Sequence, residues 1–162
     1  MLYGLAMETP LTLNLVMQHA RKLYSKQKII SYTHDRGIFE YSFGDAFGRI
    51  AQLAHALKEL GVTTSERVAT FAHNDFRHFE LYFATACSGA VCHTINPRLF
   101  AEQIEYIINH AENRWVFIDP DFVPLLENLQ GKLPTVKGYV VLCDADKMPA
   151  TQLPNTYCYE TL

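Results

Sequence analysis

Between Arg67 and Cys143 the chain alternates short apolar runs with longer stretches whose apolar residues recur near the helical period. Arg67–His73, Ala90–Ile95, Trp115–Asp119 and Tyr139–Cys143 read as strands, and Asp75–Ser88, Ala101–Ala111 and Phe122–Gln130 read as helices. Strands and helices in strict alternation, joined by short links, build a parallel sheet wrapped by crossover helices. The predicted class is therefore α/β, a doubly wound, Rossmann-like sheet with flanking helices. The links His73-Asn74-Asp75, Asn96-Pro97-Arg98 and Asp119-Pro120-Asp121 all follow strands. They are expected together at the carboxyl edge, where open sheets of this kind bind ligands.

A helix and a hairpin precede this core. Leu13, Val16, Ala20 and Leu23 mark an amphipathic helix from Thr12 to about Tyr24. Lys28–His34 and Ile38–Tyr41 pair across Asp35-Arg36-Gly37, where glycine supplies the positive φ of a tight turn. Ser42 and Asp45 form a capping pair, since the hydroxyl accepts an amide left unpaired at a helix start. The helix they open carries Ala46, Phe47, Ile50, Leu53, Ala54, Leu57 and Leu60 on one face, and Gly61 ends it. The organisation expected is one unit over 1–162: helix and hairpin over 12–41, alternating core over 42–145, and a Pro- and Thr-rich loop or linker over 146–162.

Composition narrows the functions open to such a unit. A hydrophobic content of 49% in 162 residues supports a buried core. Lys and Arg number 14 against 17 Asp and Glu without clustering, so nucleic acid is not an expected partner. Cys87, Cys92, Cys143 and Cys158 lack a C-x-x-C pair and read as reduced thiols of a cytoplasmic protein. Met1–Ala6 is apolar but has no basic flank and stops at Glu8-Thr9-Pro10, unlike a secretory signal. No apolar run reaches the ~20 residues of a transmembrane helix.

Few residues look chemical. The glycines are scattered, and the nearest pair, Gly44 and Gly48, lies within the capped helix, where close packing accounts for it better than phosphate binding. No histidine pair has the H-x-x-x-H spacing of a zinc site, and His73 and His78 read as structural or surface residues. Ser88-Gly89 follows a helix and lacks the G-x-S-x-G of a nucleophile elbow. Phe76, Phe79, Tyr82 and Phe83 fall at helical spacing, as core packing requires, and could also border an acyl chain. Arg98 stands apart. In Asn96-Pro97-Arg98-Leu99 the proline sets φ and offers the guanidinium at the sheet's carboxyl edge, either as a phosphate or carboxylate clamp or as half of a surface salt bridge.

Three stretches carry a resemblance: 67–84 (RVATFAHNDFRHFELYFA), 89–99 (GAVCHTINPRL) and 107–114 (IINHAENR). They resemble the front part of medium- and long-chain fatty-acyl-CoA synthetases, of the AMP-binding, adenylate-forming superfamily, with similarity from about Thr9 to the end. The resemblance implies a ligase using ATP and Mg²⁺ to make an acyl-adenylate that coenzyme A then opens. It implies the remainder of a ligase chain as partner, fatty acid and coenzyme A as ligands of the full-length protein, and a homodimer. It places Arg98 on a phosphate of coenzyme A. The family's Ser/Thr/Gly-rich phosphate loop and its catalytic lysine have no counterpart here. No residue is therefore assigned to catalysis or to a metal, and these 162 residues alone are expected to be inactive and to hold no cofactor tightly. The alternative is a stand-alone, non-catalytic α/β binding or interaction module of ligase-like shape.

Overall fold

The computed structural model describes residue 4 and residues 7–162; the apolar start, apart from Gly4, lies outside the described residues. The first helix, α1, spans Leu13–Tyr24 and is capped by the Thr12 hydroxyl. Strands β1 (Lys28–Thr33) and β2 (Gly37–Ser42) form an antiparallel hairpin, with Gly37 at φ +67° closing its turn. Helix α2 covers Phe43–Glu59 behind the expected Ser42–Asp45 capping box. Its C-terminus bends away at Gly61, whose φ of +78° is costly for residues with a Cβ.

The core then alternates as expected: β3 (Arg67–Phe71), α3 (Phe76–Cys87), β4 (Val91–Thr94), α4 (Ala101–His110), β5 (Trp115–Ile118), α5 (Val123–Glu127) and β6 (Gly138–Val141). A final strand, β7 (Thr156–Cys158), completes a five-stranded sheet in the order β4-β3-β5-β6-β7, every pair parallel. Because side chains on a strand alternate between faces, the central strands β3, β5 and β6 feed two cores. Val68, Trp115, Phe117 and Val140 pack with Ile50, Leu53 and Leu57 of α2 and with Phe76, Leu81 and Ala84 of α3. Ala69, Phe71, Val116, Ile118 and Val141 pack with Ile104 and Ile108 of α4 and with Val123 and Leu126 of α5. Each fully buried Ile, Leu or Phe contributes roughly 1.5–3 kcal/mol of burial, so both helix layers are anchored by several such side chains.

Two expectations need correction. The helix expected over Phe122–Gln130 is regular only over Val123–Glu127. A 3₁₀ turn, Pro120–Phe122, precedes it, and Leu129 and Gln130 donate to carbonyls three residues back, tightening the end before Gly131 at φ +84°. Residues 146–162, expected as loop or linker, contribute β7 and bury Leu153, Cys158 and Tyr159. Gly138 makes this possible: a Cβ there would lie 2.6 Å from the Asn155 carbonyl and from Trp115, so only glycine lets the tail approach β6 this closely.

Candidate functional site

In the strand order, the chain leaves β3 for β4 on one side and returns past β3 to β5 on the other, so the switch point lies between the carboxyl ends of β3 and β5. Open α/β sheets form their ligand crevice at such a point, because the loops there diverge. A cavity of about 220 Å³ occupies it, lined by His73 and Asp75 after β3, Asp119 and Asp121 after β5, Leu142 after β6, and Thr33–Asp35 at the turn of the hairpin, which roofs it. The expectation that the links after β3 and β5 share the carboxyl edge is met. The hairpin's place over them was not expected.

The cavity is acidic. Asp119 is buried, and burial pushes its carboxyl up to about 6 although the His73 N–H donates to it. His78, expected to be structural or surface, is a buried core residue: its backbone N–H donates to Asp75, its Nδ1 meets the His73 carbonyl at 3.1 Å and its Nε2 meets the Thr70 hydroxyl at 3.0 Å. A carbonyl only accepts, so Nδ1 carries the proton. Burial lowers the His78 pKa, which keeps the ring neutral. His73 is exposed, and its imidazole shares Asp121 with that of His34. The sequence spacing could not pair these histidines, since they stand 39 positions apart with β2, α2 and β3 between them.

Beside the cavity lies a buried charge network. Arg77, 1% exposed, donates to Asp35 (2.8 Å), Asp144 (2.9 Å) and Glu160 (2.9 Å). Arg36 pairs with Asp144 and Glu160, and Arg49 with Glu160 and the fully buried Glu80, which also accepts from the Tyr159 hydroxyl at 2.6 Å. Burial pushes the Asp35 carboxyl up, but hydrogen bonds led by the Arg77 guanidinium outweigh it and hold the group at about 2. With every charge answered, this network joins hairpin, α2, α3 and tail, and its chemistry is structural.

The Asn96-Pro97-Arg98-Leu99 turn is elsewhere on the same edge, past the outer strand β4. Its backbone is held by the Asn96 side chain, which accepts from the Arg98 N–H at 3.0 Å. The Arg98 side chain is exposed, and among the described residues it has no salt-bridge partner within 4.0 Å. The remaining candidates settle into packing. Phe76 is fully buried, and Phe79 and Phe83 lie against the same core. A Cβ at Gly44 would meet the Ser25 carbonyl at 3.3 Å, as close helix packing requires, whereas Gly48 faces open space. Ser88 and Gly89, at φ +80°, end α3. The four cysteines are free thiols.

Residues 17–158 match the family described as AMP-binding enzyme. The chain belongs to this family. It is 37% identical, over 98% of its length, to a medium-chain-fatty-acid–CoA ligase of Ectopseudomonas oleovorans, and covers 29% of that relative. It is 38% identical, over 84% of its length, to a long-chain-fatty-acid–CoA ligase of Thermus thermophilus, and covers 25% of it. The crystal structure of the anthranilate CoA ligase AuaEII with anthranoyl-AMP superposes with a TM-score of 0.74 at 26% identity, over 83% of this chain and 26% of that one. An acetoacetyl-CoA synthetase from Streptomyces lividans shares the fold, with a TM-score of 0.79 at 20% identity over 94% of this chain and 25% of that one. The chain thus spans under a third of the length of these curated relatives. Among the described residues, no helix is long and apolar enough to cross a membrane.

Proposed function

We propose that residues 1–162 are the amino-terminal subdomain of an ATP-dependent fatty-acid–CoA ligase. The similarity along nearly the whole chain to a medium-chain-fatty-acid–CoA ligase carries this reading. In that reaction the fatty-acid carboxylate attacks the α-phosphate of ATP with Mg²⁺ present and expels pyrophosphate, and the thiol of coenzyme A then displaces AMP from the acyl-adenylate. The residues here suit a supporting part. The carboxyl-edge cavity is lined by Asp35, Asp75, Asp119 and Asp121, which repel a triphosphate, and no glycine-rich loop faces it, so ATP and Mg²⁺ belong to the remainder of the ligase. Arg98 suits a phosphate of coenzyme A, because its planar fork is exposed and lacks a carboxylate partner among the described residues. The subdomain alone has no catalytic residues, the protein is cytoplasmic, and the full ligase is a homodimer.

A further feature favours a larger assembly over a stand-alone module. Ile30, Tyr32 and Ile38 are 64%, 74% and 77% exposed, and Tyr32 and Ile38 pair across the strands, so one face of the hairpin presents apolar surface that a neighbouring subdomain would cover. The test is acyl-CoA and AMP formation by the intact gene product with medium- and long-chain fatty acids. Activity is expected only with ATP, Mg²⁺ and coenzyme A together, and residues 1–162 alone should form no product. Loss of a charge-assisted contact, about 1.5–3 kcal/mol, should raise the KM for coenzyme A roughly 10- to 100-fold in Arg98→Ala while leaving that for ATP unchanged. An unchanged KM for coenzyme A would remove Arg98 from the site, and an intact gene product near 18.5 kDa would favour the binding module instead.

A further inference from the structure

The switch-point cavity carries a donor set to which the proposed ligase reaction assigns no role. His34 sits where the hairpin turns, His73 in the loop after β3, and Asp121 in the 3₁₀ turn after β5, and one donor atom from each lies within 4.8 Å of the other two. Asp121 Oδ2 stands 3.5 Å from His34 Nε2 and 3.4 Å from His73 Nε2. A cation with bonds of about 2.0–2.1 Å to nitrogen and oxygen in tetrahedral array spaces its donors by about 3.3 Å, so two of the three edges already have the required length. All three side chains are exposed, and the third edge, between the two imidazoles, is within 4.8 Å.

We propose that His34, His73 and Asp121 form a site for a first-row divalent transition metal of the zinc class. Two imidazoles and one carboxylate are a donor set such ions favour over Mg²⁺ or Ca²⁺, which take oxygen ligands. Three protein ligands leave a position open to water or to a small exogenous ligand.

The surroundings support the assignment. His73 is held through both of its backbone groups, its N–H donating to Asp119 and its carbonyl accepting from His78, so its imidazole projects from a fixed backbone. Pro120 sets the 3₁₀ turn that presents Asp121. His34 precedes Asp35, whose ion pair with the buried Arg77 anchors the hairpin turn. Three more carboxylates, Asp35, Asp75 and Asp119, line the same cavity, and its one guanidinium, on Arg77, is occupied by carboxylates. The local field therefore favours a cation. Because one ligand rides on the hairpin and two on the sheet edge, a bound ion would tie the roof of the cavity to its floor and stabilise the folded chain by mass action.

The test uses the intact protein, stripped with a chelator and titrated calorimetrically with ZnCl₂, with Co²⁺ as an absorption probe. One ion per chain is expected, with visible d–d bands for Co²⁺ and a rise in Tm on adding Zn²⁺. Loss even of a group supporting a ligand weakens such sites roughly 10- to 100-fold, so His34→Ala, His73→Ala and Asp121→Asn should each weaken binding at least that far and abolish the Tm rise. His55→Ala, an exposed histidine on α2, should leave both unchanged. Circular dichroism of the metal-free variants checks folding, and His34→Gln serves if His34→Ala is misfolded. Absence of stoichiometric binding overturns the proposal, as does binding that survives both histidine substitutions. Acyl-CoA formation is not the readout, so either result leaves the ligase reading to its own test.

Discussion

Arg77 and Arg98 follow neighbouring strands of one sheet, at the same carboxyl edge, and meet opposite fates. Arg77, in the first turn of α3 beyond β3, is 1% exposed and donates to Asp35, Asp144 and Glu160. Arg98, in the turn beyond β4, is exposed and has no carboxylate partner among the described residues. A buried guanidinium is tolerable only where carboxylates and hydrogen bonds answer it, and here the hairpin, the loop after β6 and the tail all supply them. An arginine with such partners stabilises the fold; one without them is left free to meet an anion.

The sharpest way to break this contrast is to truncate each arginine. Arg77→Ala should cost about 3–5 kcal/mol in urea unfolding, because it leaves three partly buried carboxylates without their shared cation. Glu160→Ala should come next, at roughly 1.5–3 kcal/mol by the same measurement, since Arg77, Arg49 and Arg36 each lose one of several partners. Acid should sharpen the difference further. The Asp35 carboxyl is held at about 2, below its ordinary 3.8, so its contribution is complete above about pH 4 and is lost as pH falls towards 2. Asp144, lowered chiefly by its hydrogen bond to Arg36, acts in the same direction. Thermal melts of the wild type should therefore show Tm falling over that window, and Arg77→Ala should flatten the fall. Arg98→Ala should change stability least, within about 0.5 kcal/mol, since it removes no contact recorded in the fold.

Local signals were legible wherever a residue's conformation depends on its near neighbours. The Ser42–Asp45 capping box, the positive φ of Gly37 and Gly61, and the apolar face of α2 all appear where the sequence places them. The two misjudged segments lack such signals. The Phe122–Gln130 pattern of Leu125, Leu126 and Leu129 covers the sheet equally well from a short helix and tightened turns, so periodicity could not set its length. Strand β7 is three residues long among prolines and threonines, and only its pairing with β6 makes it a strand. The family resemblance rested on Arg67–Asp119, where the links between strands and helices carry the distinctive residues, and it is the part of the functional reading that sequence carried best.

The sequence by itself determined the class of fold, the identity and order of most elements, and the family. These follow from periodicity, caps and turns, which act over a few residues and are written in consecutive positions. Tertiary structure alone decided that Arg77 is buried and answered, that the tail closes the sheet, and that His34, His73 and Asp121 converge beneath the hairpin. The physical reason is that burial, ion pairing and donor geometry depend on distances between residues far apart in the chain, and those distances exist only once the hairpin and the tail have packed against the sheet.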